Sequence, residues 1–391
     1  MHDIDNTIQE RMVAIRRDLH RHPELSGEES RTAGKVCQVL DELGLSYRSG
    51  VGGHGIIADI PGQYGRPFIA LRADMDALPV QEETGLDFAS EVDGVMHACA
   101  HDGHTSMLLG AAMLLSGQAP LPLPVRLIFQ PAEETTRGAI AMIEAGALED
   151  VALIFGGHLD RHYETGTIIV SNGPVNASSD KFRIEIAGQG GHAARPHESV
   201  DAVVVGSLLV MAIQTIVSRE VNPAHPSVVS VGRFDAGSAS NVIAGHAVLE
   251  GSIRAQDPEV RQYLQDAIRR IADSVGQLHS AKIKVDILEG TPPVINAEDM
   301  ADLAREAAIA TVGESQVRQL ATANMGGEDF SFYLEEVSGC YVRFGGQIPG
   351  KEGFPAHSSR FDFDEAALGS GAAYFAALAR IAGDWVCKHT L

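Results

Sequence analysis

The sequence predicts an α/β protein in which a mostly parallel sheet, covered by helices, is interrupted by an inserted βαββαβ domain. Three observations carry this. Four short, nearly continuous apolar runs, GIIADI, PFIALRAD, VRLIFQ and VALIFGG, alternate with helical stretches, the pattern of strands buried on both faces. From about Asp180 to Glu289 the order changes to strand, helix, two strands, helix, strand. After Asn296 the helix–strand alternation resumes, so one domain is split by another.

Taken in order, Ile8, Met12, Ile15 and Leu19 mark one helical face, and Thr32, Val36, Leu40 and Leu43 a second. Among the four apolar strands, Thr105–Leu115 and Gly138–Ala145 read as helices, the first beginning near His104. The inserted block reads as strand KFRIEIA, a helix from Val200 to Arg219, strands SVVSVGRF and AVLEGSIRA, a helix from Pro258 to Leu278, and strand KIKVDIL. Turn-rich NGPVNASSD enters it and EGTPPVINAED leaves it. This gives a first domain over 1–179 and 290–391, and an insertion over 180–289. The second part of the first domain has a helix at Leu303–Ala310, strand CYVRFGG, and a closing helix from Glu365 to Trp385.

Composition bounds the function. With 52 acidic against 30 basic side chains the formal charge is −22, and no Lys/Arg run is present, which argues against nucleic acid or an anionic membrane surface as partner. The longest candidate membrane segment, Ala202–Ile213, is about a dozen residues where about 20 are needed. Cys37, Cys99, Cys340 and Cys387 have no framework spacing, and the first residues lack a continuous apolar stretch; a reducing cytoplasm is expected.

Five potential metal ligands fall at strand ends or turn edges: Cys99 and His101 in MHACAHDGH, Glu134 in FQPAEE, His158 in IFGGH, and His357 in AHSSRFDF. Thiolate, imidazole and carboxylate together suit zinc, manganese, cobalt or nickel. In an extended segment Cys99 and His101 project to the same side. Alone, the pair reads better as a buried cysteine beside a surface histidine than as metal ligands, and His158 and His357 taken separately read better as ordinary histidines. Glu133 and Glu134 end an apolar strand, where α/β sheets place functional groups. Adjacent side chains diverge, so one glutamate can coordinate metal while the other takes a proton from water. Asp74 in LRADMDALP could accept from the free N–H of a ligand histidine and fix its tautomer, or serve as an ordinary strand-end cap.

In combination the motifs resemble one family: the dinuclear-metal amidohydrolases that include hippurate hydrolases, N-acyl-amino-acid deacylases and plant auxin-conjugate hydrolases, related to zinc carboxypeptidases. The resemblance rests on RRDLHRHPELSGEE, RADMDALP, MHACAHDGHT, FQPAEE, GGH, GQGGHAARPH, SNVIAGHAVLEGSIRA, GGEDFSFY and HSSRFDFDE, and spans almost the whole chain. It implies a metallohydrolase domain holding two divalent ions, with Cys99 bridging and His101, Glu134, His158 and His357 completing the set. It makes Glu133 the general base and acid, and the insertion a lid that also pairs two chains into a homodimer. His192 would polarise the scissile carbonyl from the lid, and Asn241 and Arg254 would hold the substrate carboxylate or stabilise the oxyanion. The substrate implied is a small N-acyl or N-aroyl amino acid, or a related amide or dipeptide.

Several positions depart from the family pattern. The usual glycine between the cysteine and histidine is Ala100, and LDRHYETG brings Asp160, Arg161 and His162 towards the expected pocket rim. Asn241-Val242-Ile243-Ala244 and His357-Ser358-Ser359 each lack the usual proline. Three other readings compete with amide hydrolysis: metal-dependent deamination of an aromatic amine, a thiol hydrolase built on Cys99 with a histidine base, and a metal-dependent binding protein without turnover.

Overall fold

The computed structural model describes residues 5–117, 120–351 and 353–389. In chain order it begins with helices α1 (Asn6–Arg21) and α2 (Ser30–Glu42), strands β1 (Ser46–Val51), β2 (Gly55–Ile60) and β3 (Phe68–Asp74), and helix α3 (His101–Ser116). Strand β4 (Val125–Gln130), helix α4 (Gly138–Glu144) and strands β5 (Val151–Glu164), β6 (Ile168–Ile169) and β7 (Gly173–Asn176) follow. Next come β8 (Ser179–Ala187), β9 (Gly191–His192), α5 (Ala202–Thr215), β10 (Ser227–Ala236), β11 (Val242–Ile243), β12 (His246–Ala255), α6 (Pro258–His279) and β13 (Lys282–Thr291). The chain closes with β14 (Val294–Asn296), α7 (Glu298–Val312), β15 (Val317–Arg318), α8 (Phe330–Glu336), β16 (Gly339–Gln347) and α9 (Ala367–His389).

Two compact units result: residues 1–173, 295–321 and 329–391, and residues 174–294 with 322–328. The expected insertion ran from 180 to 289; the short return of 322–328 to the second unit carries no composition signal.

The first unit is built on an eight-stranded sheet of order β1-β2-β4-β3-β5-β16-β6-β15. Its centre is parallel, β3 pairing with both β4 and β5, and β16 with β5. The hairpin β1–β2 and the β2–β4 pair are antiparallel. Every residue of β4 is buried, as the unbroken apolar run implies, whereas β1 is polar and largely exposed, so alternation could not reveal it. Helix α3 is almost wholly buried and starts at His101, one turn before the expected His104. Gly103 lets it approach β5: a Cβ there would lie 2.7 Å from Leu159 and from Phe363. Helix α1 is tied to the start of α3 by buried Arg16, whose guanidinium meets Asp102 at 2.9 Å, Asp362 at 3.1 Å and Glu365 at 3.2 Å.

The second unit is a four-stranded antiparallel sheet of order β10-β12-β8-β13, backed by α5 and α6. Numbered within the unit the strand order is 4-1-3-2 from β13, the split-βαβ arrangement. Asp201 caps α5 by accepting from the N–H groups of Val203 and Val204, and Asp257 caps α6 in the same way with Pro258 in the first turn. With the π-helical turn that extends α5, the segment Ala202–Glu220 is long and apolar enough to cross a membrane by length and composition, longer than the dozen residues read from sequence. One face of it, Val205, Leu209, Ile213 and Ile216, is buried in the core of this unit.

Candidate metal centre

The five candidate ligands converge within the first unit, although the chain separates them widely. Glu133 and Glu134 follow the carboxyl end of β4, His158 lies just past the middle of β5, and Cys99 and His101 lead into α3. His357 is brought in by its own backbone, whose N–H donates to the carbonyl of Ala98 at 2.8 Å. These turns use left-handed backbone at non-glycine residues: Ala100 (φ 67°), Ala132 (φ 56°), Thr136 (φ 60°) and His357 (φ 67°). Such conformations cost on the order of 1 kcal/mol each and gather where surrounding structure over-determines them. Ala100 thus adopts the conformation for which glycine is the easier residue, without moving Cys99 or His101 out of the cluster.

Two sets of three side chains share Cys99. Ligand atoms of Cys99, His101 and His158 lie within 4.8 Å of one another, as do those of Cys99, Glu134 and His357. Cys99 Sγ is 3.4 Å from His158 Nε2, and Glu134 Oε1 is 3.4 Å from His357 Nε2 and 4.0 Å from His101 Nε2. His101 Nε2 and Glu134 Oε1 are both buried without a hydrogen-bond partner, a costly arrangement that a cation would relieve. The donor set of a thiol, three imidazoles and a carboxylate suits borderline divalent ions.

Two of the three imidazoles are held at Nδ1 so that Nε2 is left to the cluster. His101 Nδ1 lies 2.9 Å from the Asp76 carbonyl and 3.1 Å from Asp76 Oδ1; His158 Nδ1 lies 2.6 Å from the Leu159 carbonyl. Both Nδ1 atoms therefore donate, and each Nε2, once its ring is neutral, turns a lone pair to the cluster. Burial opposes a charge on His101, yet Asp74 and Asp76 outweigh it and raise its pKa well above the imidazole range. His158 is held well below that range by burial and by the neighbouring His104 and Arg343. For Cys99, burial and the charge of Glu134 push the thiol well above its usual range, the reverse of what a thiol nucleophile needs.

The two glutamates part as their adjacency requires. Glu134 reaches His101 and His357 and is anchored by its N–H donating to Asp76 Oδ2 at 3.1 Å. Glu133, 9% exposed, accepts from the backbone N–H of Asp329 at 3.3 Å through Oε1, and one of its oxygens comes within 4.8 Å of ligand atoms of His101 and Glu134. It stands beside the ligand set with its orientation fixed from outside.

Asp74 does not meet His101 Nδ1; Asp76 does. Asp74 Oδ1 is 2.6 Å from His104 Nδ1, Oδ2 accepts from Arg72 at 2.7 Å, and the nearest approach recorded to His101 is 3.8 Å, at Nε2. The two aspartates are two residues apart at a strand end and face the same way, so sequence periodicity could not choose between them. His104, Arg72 and Asp329 were also missed. His104 sits three residues after His101 on α3, with ring centroids 5.5 Å apart, and that spacing on one helix face is the signal that could have found it.

The remaining candidates lie in the second unit. His192 is exposed on β9, opposite Val242 of β11; its Nδ1 accepts from Ala194 N–H at 3.0 Å, and Ala193 N–H donates to the Asn241 carbonyl at 3.1 Å. His192 and Asn241 are thus neighbours. Arg254, half-buried, is next to last on β12, at the opposite end of that strand from the Gly245 turn that contacts Gly188 and Gly190.

Residues 70–381 match the profile of peptidase family M20/M25/M40. The chain is 41% identical over 364 residues to an N-acetyl-L-cysteine deacetylase of Bacillus subtilis, covering 93% of this chain and 86% of the relative. It is 39% identical over 381 residues to thermostable carboxypeptidase 1 of Saccharolobus solfataricus, covering 95% of each. A crystal structure from Bacillus subtilis, described as a dinuclear metal binding peptidase, superimposes with a TM-score of 0.85 at 37% identity, covering 97% of this chain and 99% of that one.

Proposed function

We propose, from the premise that this chain belongs to peptidase family M20/M25/M40, that it hydrolyses the amide bond of a small N-acyl or N-aroyl amino acid and releases a carboxylic acid and a free amino acid. The reading is carried by one observation: two three-ligand sets that share Cys99, with Glu133 beside them but held by the Asp329 amide. Cys99, His101 and His158 would hold one divalent ion, and Cys99, Glu134 and His357 the other. When bound, such ions polarise a carbonyl and lower the pKa of water to near neutrality. Glu133 takes a proton from the attacking water as its oxygen bonds to the carbonyl carbon. It then returns that proton to the leaving nitrogen as the C–N bond breaks. His192 donates to the developing oxyanion, and Asn241 and Arg254 orient the substrate carboxylate.

Two further parts of the reading rest on the second unit and on the cysteines. Val203, Val204, Leu208 and Met211 on α5 are 41%, 47%, 43% and 69% exposed, beside edge strand β10 with exposed Val228 and Phe234. An apolar helix face continuous with an open strand edge suits a homodimer paired through this unit. All four cysteines are free thiols, which suits a reducing cytoplasm.

The test is a screen of N-acetyl, N-benzoyl and indole-acyl amino acids and dipeptides, following free amine and ammonia. Amine release should be abolished by a strong chelator and restored by manganese, zinc, cobalt or nickel. Full turnover by protein shown by elemental analysis to be metal-free would overturn the mechanism, and ammonia without carboxylate would replace it with deamination.

A further inference from the structure

His104 is a buried imidazole that belongs to neither three-ligand set containing Cys99. Its surroundings fix which nitrogen carries its proton. Nδ1 is 2.6 Å from Asp74 Oδ1, and the other oxygen of that carboxylate is taken by the Arg72 guanidinium at 2.7 Å. An aspartate paired with an arginine accepts only, so the Nδ1 of His104 donates and its Nε2 presents a lone pair. The backbone N–H of Leu159 donates to that lone pair at 2.9 Å.

Sheet topology explains why Leu159 needs this acceptor. Strand β3 follows β5 only as far as the pairing of Leu71 with Phe155, so beyond that point β5 has no strand partner on its β3 side. A buried N–H left unpaired there would cost about 1–3 kcal/mol. The same residue's carbonyl receives Nδ1 of His158 at 2.6 Å, and the rings of His104 and His158 pack edge to face at 4.6 Å. The peptide groups flanking Leu159 are thus held at the N–H by His104, and at the carbonyl they hold His158.

We propose that His104 is a positioning residue: through the Leu159 backbone it sets the ring orientation and tautomer of His158, and so tunes one of the two metal positions without touching a metal. The inference rests on His158 being a ligand, as in the proposed function. It extends the support for the centre from ligand to backbone to imidazole to Asp74 and Arg72, a chain of contacts of the kind whose loss typically costs 10 to 100-fold in metal affinity.

Two substitutions separate the contacts. His104→Asn keeps an amide N–H near the Nδ1 position for Asp74 and removes the acceptor for Leu159; His104→Gln can place a carbonyl oxygen near Nε2 and removes the Asp74 donor. Each purified variant and the wild-type protein would be stripped of metal and titrated with cobalt(II), reading visible absorption, stoichiometry and thermal unfolding of the metal-free form. His104→Asn should weaken one of two cobalt(II) ions by about 10 to 100-fold and leave the other, while His104→Gln stays closer to wild type. Histidine ¹⁵N spectra of the metal-free wild type should show His104 and His158 both protonated at Nδ1, a readout that needs no variant to fold. Equal weakening of both ions, unchanged binding in both variants, or His104 protonated at Nε2 in the wild type would overturn the inference. Wild-type protein that binds no cobalt(II) would overturn the metal reading along with it, whereas two ions bound with identical variants would overturn the inference alone.

Discussion

The ligand cluster of the first unit and the His192 strand of the second carry candidate residues in opposite surroundings. Cys99, His101 and Glu133 are at most 9% exposed, and the side chains around them are fixed by Asp76, Asp329 and Arg72. His192 stands exposed on a two-residue strand, with one short-range hydrogen bond to its ring. A buried polar cluster shows what it is for, because each orphaned atom must be satisfied by something. An exposed histidine does not, because water satisfies it and its task depends on what approaches.

The sharpest test of this contrast lies within the buried side. Glu133→Gln should lower kcat by at least about 10²-fold with two metals retained, the scale of losing a positioned general base, whereas Glu134→Gln should also lose metal occupancy. Elemental analysis alongside steady-state kinetics distinguishes them; equal metal loss in both would erase the division between the glutamates. The exposed side is tested by complementation. If His192 serves the centre of the opposite chain, nearly inactive Glu133→Gln and His192→Ala proteins, co-refolded, should recover about a quarter of wild-type activity, since about half the dimers are mixed and each has one working site of two. Absence of recovery in tagged mixed dimers would place any role of His192 within its own chain.

A smaller effect probes how far the buried network extends. Burial opposes a charge on His20, but Asp102 and Glu82 outweigh it and raise its pKa above 6.5. A group raised on folding stabilises fully below its unfolded pKa and loses that contribution as pH rises through the folded value. His20→Gln should therefore lower Tm more at pH 6 than at pH 9; an equal loss at both would mean that the Asp102 contact works by packing alone. The smallest effect is at Ala100. Relieving its left-handed backbone with Ala100→Gly should raise unfolding free energy by up to about 1 kcal/mol with metal content unchanged, measured by denaturant unfolding. A loss of stability would show that the alanine methyl contributes more by packing than it costs in strain.

The sequence was most legible where order and burial coincide. The strands β2, β3, β4 and β5 were visible as apolar runs, and the candidate ligands could be picked out because four motifs occur together in one order. What stayed hidden depends on direction rather than composition. Asp74 and Asp76 are chemically identical and lie two apart on one side, so only the fold decides that Asp76 meets His101. His104 was hidden because α3 is buried on nearly all faces, leaving no amphipathic stripe against which a polar residue stands out. The polar strand β1 and the return of 322–328 to the second unit follow from pairing partners far away in the chain.

The place of β16 has a consequence for how the protein is made. This strand lies between β5 and β6 in the middle of the sheet, yet the whole of β8 to β13 is synthesised before it. On the ribosome the growing chain therefore holds β5 with an open edge while the second unit, whose strands are nearly contiguous, has all it needs to fold. His357 emerges later still. Assembly of the full candidate ligand set is thus an event of the nearly finished polypeptide, and until β16 arrives the nascent chain carries β5 as an unpaired strand edge on that side.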